Sequence, residues 1–143
     1  MTQFRFFMVF SIIGLLSLSS CDSVNEAQLV SDSFFTAYNN EDQAVMDTLF
    51  DKELIVDAGM KDDFYKVFDQ HWKTFGKITS HSRYSFLTKT NNGLSTVELS
   101  YNCETEKGSD VYEKLIFVKR VEGYKIISYE YNVDKSEIEK DED

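Results

Sequence analysis

The chain has 143 residues, with 15 Lys and Arg against 25 Asp and Glu, a formal charge of −10. That length holds one compact domain, and so acidic a balance argues against nucleic acid, which needs a basic surface to displace counterions. Apolar residues at 42% and aromatics at 15% exclude a disordered chain, the absence of proline excludes collagen-like and proline-rich classes, and two cysteines exclude a disulfide scaffold.

Residues 1–20 carry one charge, Arg5, followed by a mostly apolar run from Phe6 to Leu18 and a small-residue exit. This is the pattern of a secretory signal peptide, and the run is shorter than the roughly 20 residues of a spanning helix. The exit Leu18-Ser19-Ser20-Cys21 resembles the lipobox of bacterial lipoproteins: an aliphatic residue, two small residues, then cysteine. In that family the cysteine sulfur receives a diacylglyceryl group and the signal is cut just before it. The competing reading is an ordinary secretory signal with an incidental cysteine. The lipobox reading divides the chain into a signal at 1–20, a lipidated tether at 21–25, a folded body at 26–133 and an acidic tail at 134–143. The partner expected from it is a lipid bilayer, held through acylated Cys21 outside the cytosol in a bacterial envelope. Each buried CH₂ of such chains contributes about 0.8 kcal/mol, so the body needs no membrane-binding surface of its own.

The mature chain begins with helical periods. Residues 24–38 place Ala27, Val30, Phe34, Ala37 and Tyr38 at spacings of three and four, and Asn39-Asn40 ends the run. Residues 41–50 form a shorter helix with Val45, Met46, Leu49 and Phe50 as its apolar side. Residues 53–58 predict a short strand or turn. Residues 61–75 form a third helix, with Asp62 as N-cap, a stripe of Phe64, Val67, Phe68, Trp72 and Phe75, and Gly76 at its end. The period then becomes two. Residues 78–89 are β-rich, with Tyr84, Phe86 and Thr88 on one side, and Asn92-Gly93 signals a hairpin. Residues 95–105 alternate, with Val97, Leu99, Tyr101 and Cys103 on one face. Residues 111–121 contain Leu115-Ile116-Phe117-Val118, apolar on both faces, which places that strand centrally. Residues 124–133 put Ile127, Tyr129, Tyr131 and Val133 on one face. The tail holds six acids and two lysines and is expected to fray.

One-sided strands require a cover, and three amphipathic helices supply it. The predicted fold is α+β: three N-terminal helices packed on a curved four-stranded antiparallel sheet. This order resembles the NTF2-like, or cystatin-like, cone family. The resemblance is carried by Phe34-Phe35-Thr36-Ala37-Tyr38-Asn39-Asn40-Glu41-Asp42, by Phe75-Gly76-Lys77-Ile78 and by Gly123-Tyr124-Lys125-Ile126-Ile127-Ser128-Tyr129-Glu130-Tyr131. Small bacterial lipoproteins of unassigned function look like this too. The resemblance covers residues 25–133, implies a cone with an open mouth, and transfers no catalytic residue, because no family motif matches position by position.

Candidate chemistry is sparse. His71, beside Trp72, could act as a general base in a cone, or simply pack at the edge of the helical stripe. His71 and His81 lack metal-ligand spacing, so no metal is expected. Cys103 could be a nucleophile, but its alternation with Val97, Leu99 and Tyr101 points to the core. Tyr84, Tyr101, Tyr129 and Tyr131, with Trp72 and His71, are candidates for lining a pocket, or for ordinary packing. No phosphate loop or dinucleotide fingerprint occurs, so no cofactor is expected. The leading expectation is a membrane-anchored, non-catalytic module that binds a small ligand or an envelope protein. The alternative is a small cone-pocket enzyme using acid–base chemistry.

Overall fold

The computed structural model describes the backbone of residues 2–139 and the side chains of residues 21–139. Helix α1 spans Thr2–Asn39, α2 Gln43–Leu49 and α3 Lys61–Phe75; strands β1 Ile78–Asn91, β2 Leu94–Thr105, β3 Asp110–Arg120 and β4 Gly123–Asn132 follow, and α4 Lys135–Glu139 closes the chain. The four strands form one antiparallel sheet in sequence order, with β2 and β3 central. The helices α1 to α3 cover one face. Their buried residues Ala27, Phe34, Phe35, Tyr38, Met46 and Phe68 join Val97, Leu99, Tyr101, Cys103, Leu115, Phe117, Ile126 and Tyr129 in one core. The expected α+β architecture, helices on a curved four-stranded sheet, is therefore the observed one.

Local chemistry explains the boundaries. Asp42 caps α2 by accepting from the Val45 N–H. Asn39, on the last turn of α1, donates to the Ile78 carbonyl at 2.8 Å and accepts from the Ile78 N–H at 2.9 Å, which pins the end of α1 to the start of β1. Gly76 ends α3 with φ +74°, a backbone conformation that favours glycine. At the β1–β2 hairpin, Asn91 pairs with Leu94 across Asn92 (φ 51°) and Gly93 (φ 79°), two positive-φ residues that match the right-handed twist of the strands.

Several expectations are corrected. The segment 53–58 is not a strand: Lys52–Val56 form one wide, π-type turn. It is capped by buried Asp51, which accepts from the Leu54 N–H at 2.9 Å and from Arg120 at 2.7 and 3.0 Å. Those Arg120 hydrogen bonds, ahead of the opposing effect of burial, hold the Asp51 carboxyl below the usual carboxylate range. Helix α3 starts two residues earlier than an Asp62 cap allows. Met60 takes the cap position without a side-chain bond, and Asp62 and Asp63 lie in the first turn, where they favour the helix dipole. Residues 21–25, expected as a tether, are helical within α1, and Val24 is buried.

Two bulges shift the expected strand faces. Between Arg83 and Ser85 the β1 register slips. Tyr84 consequently falls on the face away from the helices, against Tyr112 and under the Lys135 ammonium, rather than sharing a side with Phe86 and Thr88. A second slip opposite Ile116 and Phe117 pairs Phe117 with Ile126 and Leu115 with Tyr129. It makes Ile126, not Ile127, the core neighbour of Tyr129 and Tyr131. A bulge inserts one unpaired residue and inverts alternation beyond it. The tail also departs from expectation up to Glu139: α4 packs on β3 and β4 with Ile138 buried. The side chains of 1–20, expected as a signal, and all of 140–143 lie outside the described residues.

Candidate functional site

The cone interior contains a polar cluster. Along β3 the inward positions are Val111, Glu113, Leu115 and Phe117, all buried. Glu113 is thus a carboxyl placed on an apolar face by strand alternation. His71 enters from α3, one turn before Phe75, and is also fully buried; both side chains have 0% exposure. His71 Nε2 lies 3.2 Å from Glu113 Oε1, an ion-pair distance without hydrogen-bond alignment. On the other side of the ring, His71 Nδ1 meets the Tyr38 hydroxyl at 2.5 Å. That hydroxyl has a second acceptor in reach, the Gly76 carbonyl at 3.2 Å. Tyr38 can donate to the Gly76 carbonyl while accepting from a protonated Nδ1, or donate to an unprotonated Nδ1, so the hydroxyl and the imidazole tautomer are coupled.

The surroundings of this cluster are acidic groups kept protonated. Burial, and then the nearby Glu113, push the Tyr38, Cys103 and Tyr129 pKa values well above their ordinary ranges. Tyr131 is raised by the same two causes. Its ring stands perpendicular to the His71 ring at 4.7 Å. The rest of the space is filled by rings: Phe34 and Phe68 pack on Tyr129 at 5.3 and 5.0 Å, and Phe75 on His71 at 4.9 Å. In this packing Tyr38 and His71 share a hydrogen bond, Glu113 stands beside them without alignment, and neither His71 nor Glu113 has exposed surface.

A separate, open groove lies outside the cone, between the end of α1, α2 and α3. It encloses about 350 Å³ and is lined by Tyr38, Met46, Tyr65, Phe68 and Trp72, with Glu41, Gln43 and Asp69 supplying the polar atoms. The Tyr65 hydroxyl donates to Asp47 Oδ1 at 2.6 Å, which fixes its ring. Burial and this carboxylate push the Tyr65 hydroxyl up. Tyr38 belongs to both regions, one in reach of its ring and the other of its hydroxyl.

The six residues expected to line a pocket are dispersed. Trp72 lines the groove. His71 and Tyr129 lie in the cone interior, with half-buried Tyr131 beside them. Tyr101 is fully buried against Phe35, where burial pushes its hydroxyl up to about 12. Tyr84 sits on the opposite sheet face. Cys103 is buried and Cys21 exposed. His81 stands on β1 near Asp32 at 3.3 Å, apart from the His71 cluster. Glu113 and Tyr65 went unnoticed in the sequence, and Tyr38 was read there only as part of an apolar helix face. For Glu113 a signal existed: its odd-numbered register with Val111, Leu115 and Phe117.

Comparison with solved structures places this architecture. A proposed dehydratase of the NTF2-like family from Streptomyces avermitilis superposes with a TM-score of 0.54 at 13% identity, over 79% of this chain and 96% of that one. The chain has an NTF2-like fold. A proposed ketosteroid isomerase from Shewanella frigidimarina superposes less well, with a TM-score of 0.49 at 14% identity, over 75% of this chain and 94% of the other. No family model and no curated protein sequence matches the chain. In this NTF2-like fold the cone that the resemblance implied to be open is filled by aromatic side chains, and an aromatic groove lies beside it.

Proposed function

We propose that the chain is a lipid-anchored module of a bacterial cell envelope whose NTF2-like domain binds a small ligand in the groove between α1, α2 and α3 without chemistry of its own. The single observation that carries the binding reading is the contrast in access. The groove is open and aromatic, whereas the acid–base pair has no exposed surface. A catalytic base must come within hydrogen-bond reach of the proton it takes, and His71 is enclosed by protein. The anchoring reading rests on Leu18-Ser19-Ser20-Cys21 and on the exposure of Cys21. Metabolic labelling with a fatty acid tests it. The wild type takes up label and Cys21→Ala loses it; undiminished label in the variant contradicts it.

A second reading is acid–base catalysis within the cone, favoured by one observation: a histidine and a glutamate face each other at 3.2 Å in its depths. It requires the aromatic filling to open. The dehydratase description of the Streptomyces protein belongs to the same class of chemistry, but at 13% identity the likeness transfers the fold and not the reaction.

A further inference from the structure

We infer that the groove ligand is a small organic cation with an apolar body, such as a quaternary or aryl-substituted amine. This rests on the groove being a binding site and adds the chemical class of its occupant. Three features of the groove converge. Its lining is aromatic: Tyr65 and Trp72 are partly exposed, and Tyr38 and Phe68 lie behind them as largely buried rings. Tyr38 and Trp72 meet edge to face at 5.3 Å, so their mutual orientation is fixed before any ligand arrives. Aromatic faces attract cations through the ring quadrupole, most strongly for Trp and Tyr and more so when water is excluded. The Tyr65 ring already has an ammonium near it, Lys61 Nζ at 5.9 Å from its centroid.

The second feature is charge. Both ionisable carboxylates that line the groove, Glu41 and Asp69, are acidic, and no basic residue is among its lining side chains as described. Asp69 already forms an exposed ion pair with Lys73 at 2.5 Å. Glu41 therefore supplies the negative charge that a ligand would meet. An anionic ligand would face that carboxylate and the electron-rich ring faces together, and a neutral one would gain nothing from Glu41.

The third feature is position. Glu41 follows the end of α1 with φ 52°, a left-handed conformation that glycine or asparagine adopts more readily. Asn39 and Asn40 stand immediately before it, yet the glutamate occupies this place, at the negative end of the α1 dipole, which also favours a cation.

The chain contains one tryptophan, so indole emission reports Trp72 alone. The experiment titrates the full chain in non-ionic detergent with benzyltrimethylammonium, benzyl alcohol and phenylacetate. The expected result is saturable change with the cation at tenfold lower concentration, or less, than with benzyl alcohol, and none with phenylacetate. Glu41→Gln, an exposed substitution, is expected to weaken the cation about fivefold and to leave benzyl alcohol unchanged. Benzyl alcohol matching the cation, or an unaltered cation affinity in Glu41→Gln, overturns the cation assignment while leaving the groove a binding site. Emission indifferent to all three probes overturns both.

Discussion

The cone interior and the groove beside it share Tyr38, and they use polarity in opposite ways. Inside, His71 and Glu113 are surrounded by Tyr129, Tyr131, Phe75 and Cys103 and have no exposed surface. A pair so enclosed has exchanged hydration for mutual contact, an exchange that close to breaks even. Outside, Glu41 and Asp69 keep their hydration and stand at the rim of an aromatic cleft. There a charge costs little until a ligand arrives, and then it selects. The difference teaches that the position of ionisable groups within a cone is not evidence of catalysis by itself; access decides what they can do.

The largest effect should come from breaking the interior pair on one side. His71→Leu leaves Glu113 buried without its partner, and the expected loss is about 3–5 kcal/mol in urea unfolding. Adding Glu113→Leu to that variant should restore most of the loss, because two apolar side chains of similar volume replace the pair. A loss below about 1 kcal/mol for His71→Leu would mean that the cluster is solvated, and the contrast between the two regions would collapse.

A smaller effect is expected at the residue that joins them. Tyr38→Phe keeps the groove wall but removes the hydroxyl that meets His71 and Gly76, at an expected cost of about 1 kcal/mol. The sign of its pH dependence follows from the raised Tyr38 pKa, caused first by burial and then by Glu113. The wild-type hydroxyl contributes fully below the unfolded value of 10.0, and its contribution falls as pH rises toward the folded value. Stability curves of wild type and Tyr38→Phe should therefore converge above pH 10 or so. A gap that stays constant there would show that Tyr38 ionises as readily in the fold as out of it.

Much of the architecture is legible from period alone. The α3 stripe, the Asn92-Gly93 hairpin and the central place of the strand containing Leu115 to Val118 follow from side-chain spacing, because core burial enforces that spacing. The errors have local causes. Bulges near Tyr84 and Ile127 invert alternation, and nothing in the residue types marks them. The π-type turn at Lys52–Val56 looks like a strand because its apolar residues are contiguous. The groove is assembled from three helices and resides in no segment, so spacing found Trp72 but could not gather Tyr38 and Tyr65 beside it. Glu113 was hidden by its charge: a carboxyl within a strand reads as a solvated position unless its register with Val111 and Leu115 is weighed first.

The most direct test of the division between closed cone and open groove is a map of where a ligand perturbs the chain. Amide chemical shifts of the full chain in detergent micelles, followed during titration with benzyltrimethylammonium, should move around Tyr38, Glu41, Tyr65 and Trp72 and stay fixed at Glu113 and Tyr131. Shifts centred instead on Glu113, Tyr129 and Tyr131 would place the ligand inside the cone and contradict the account.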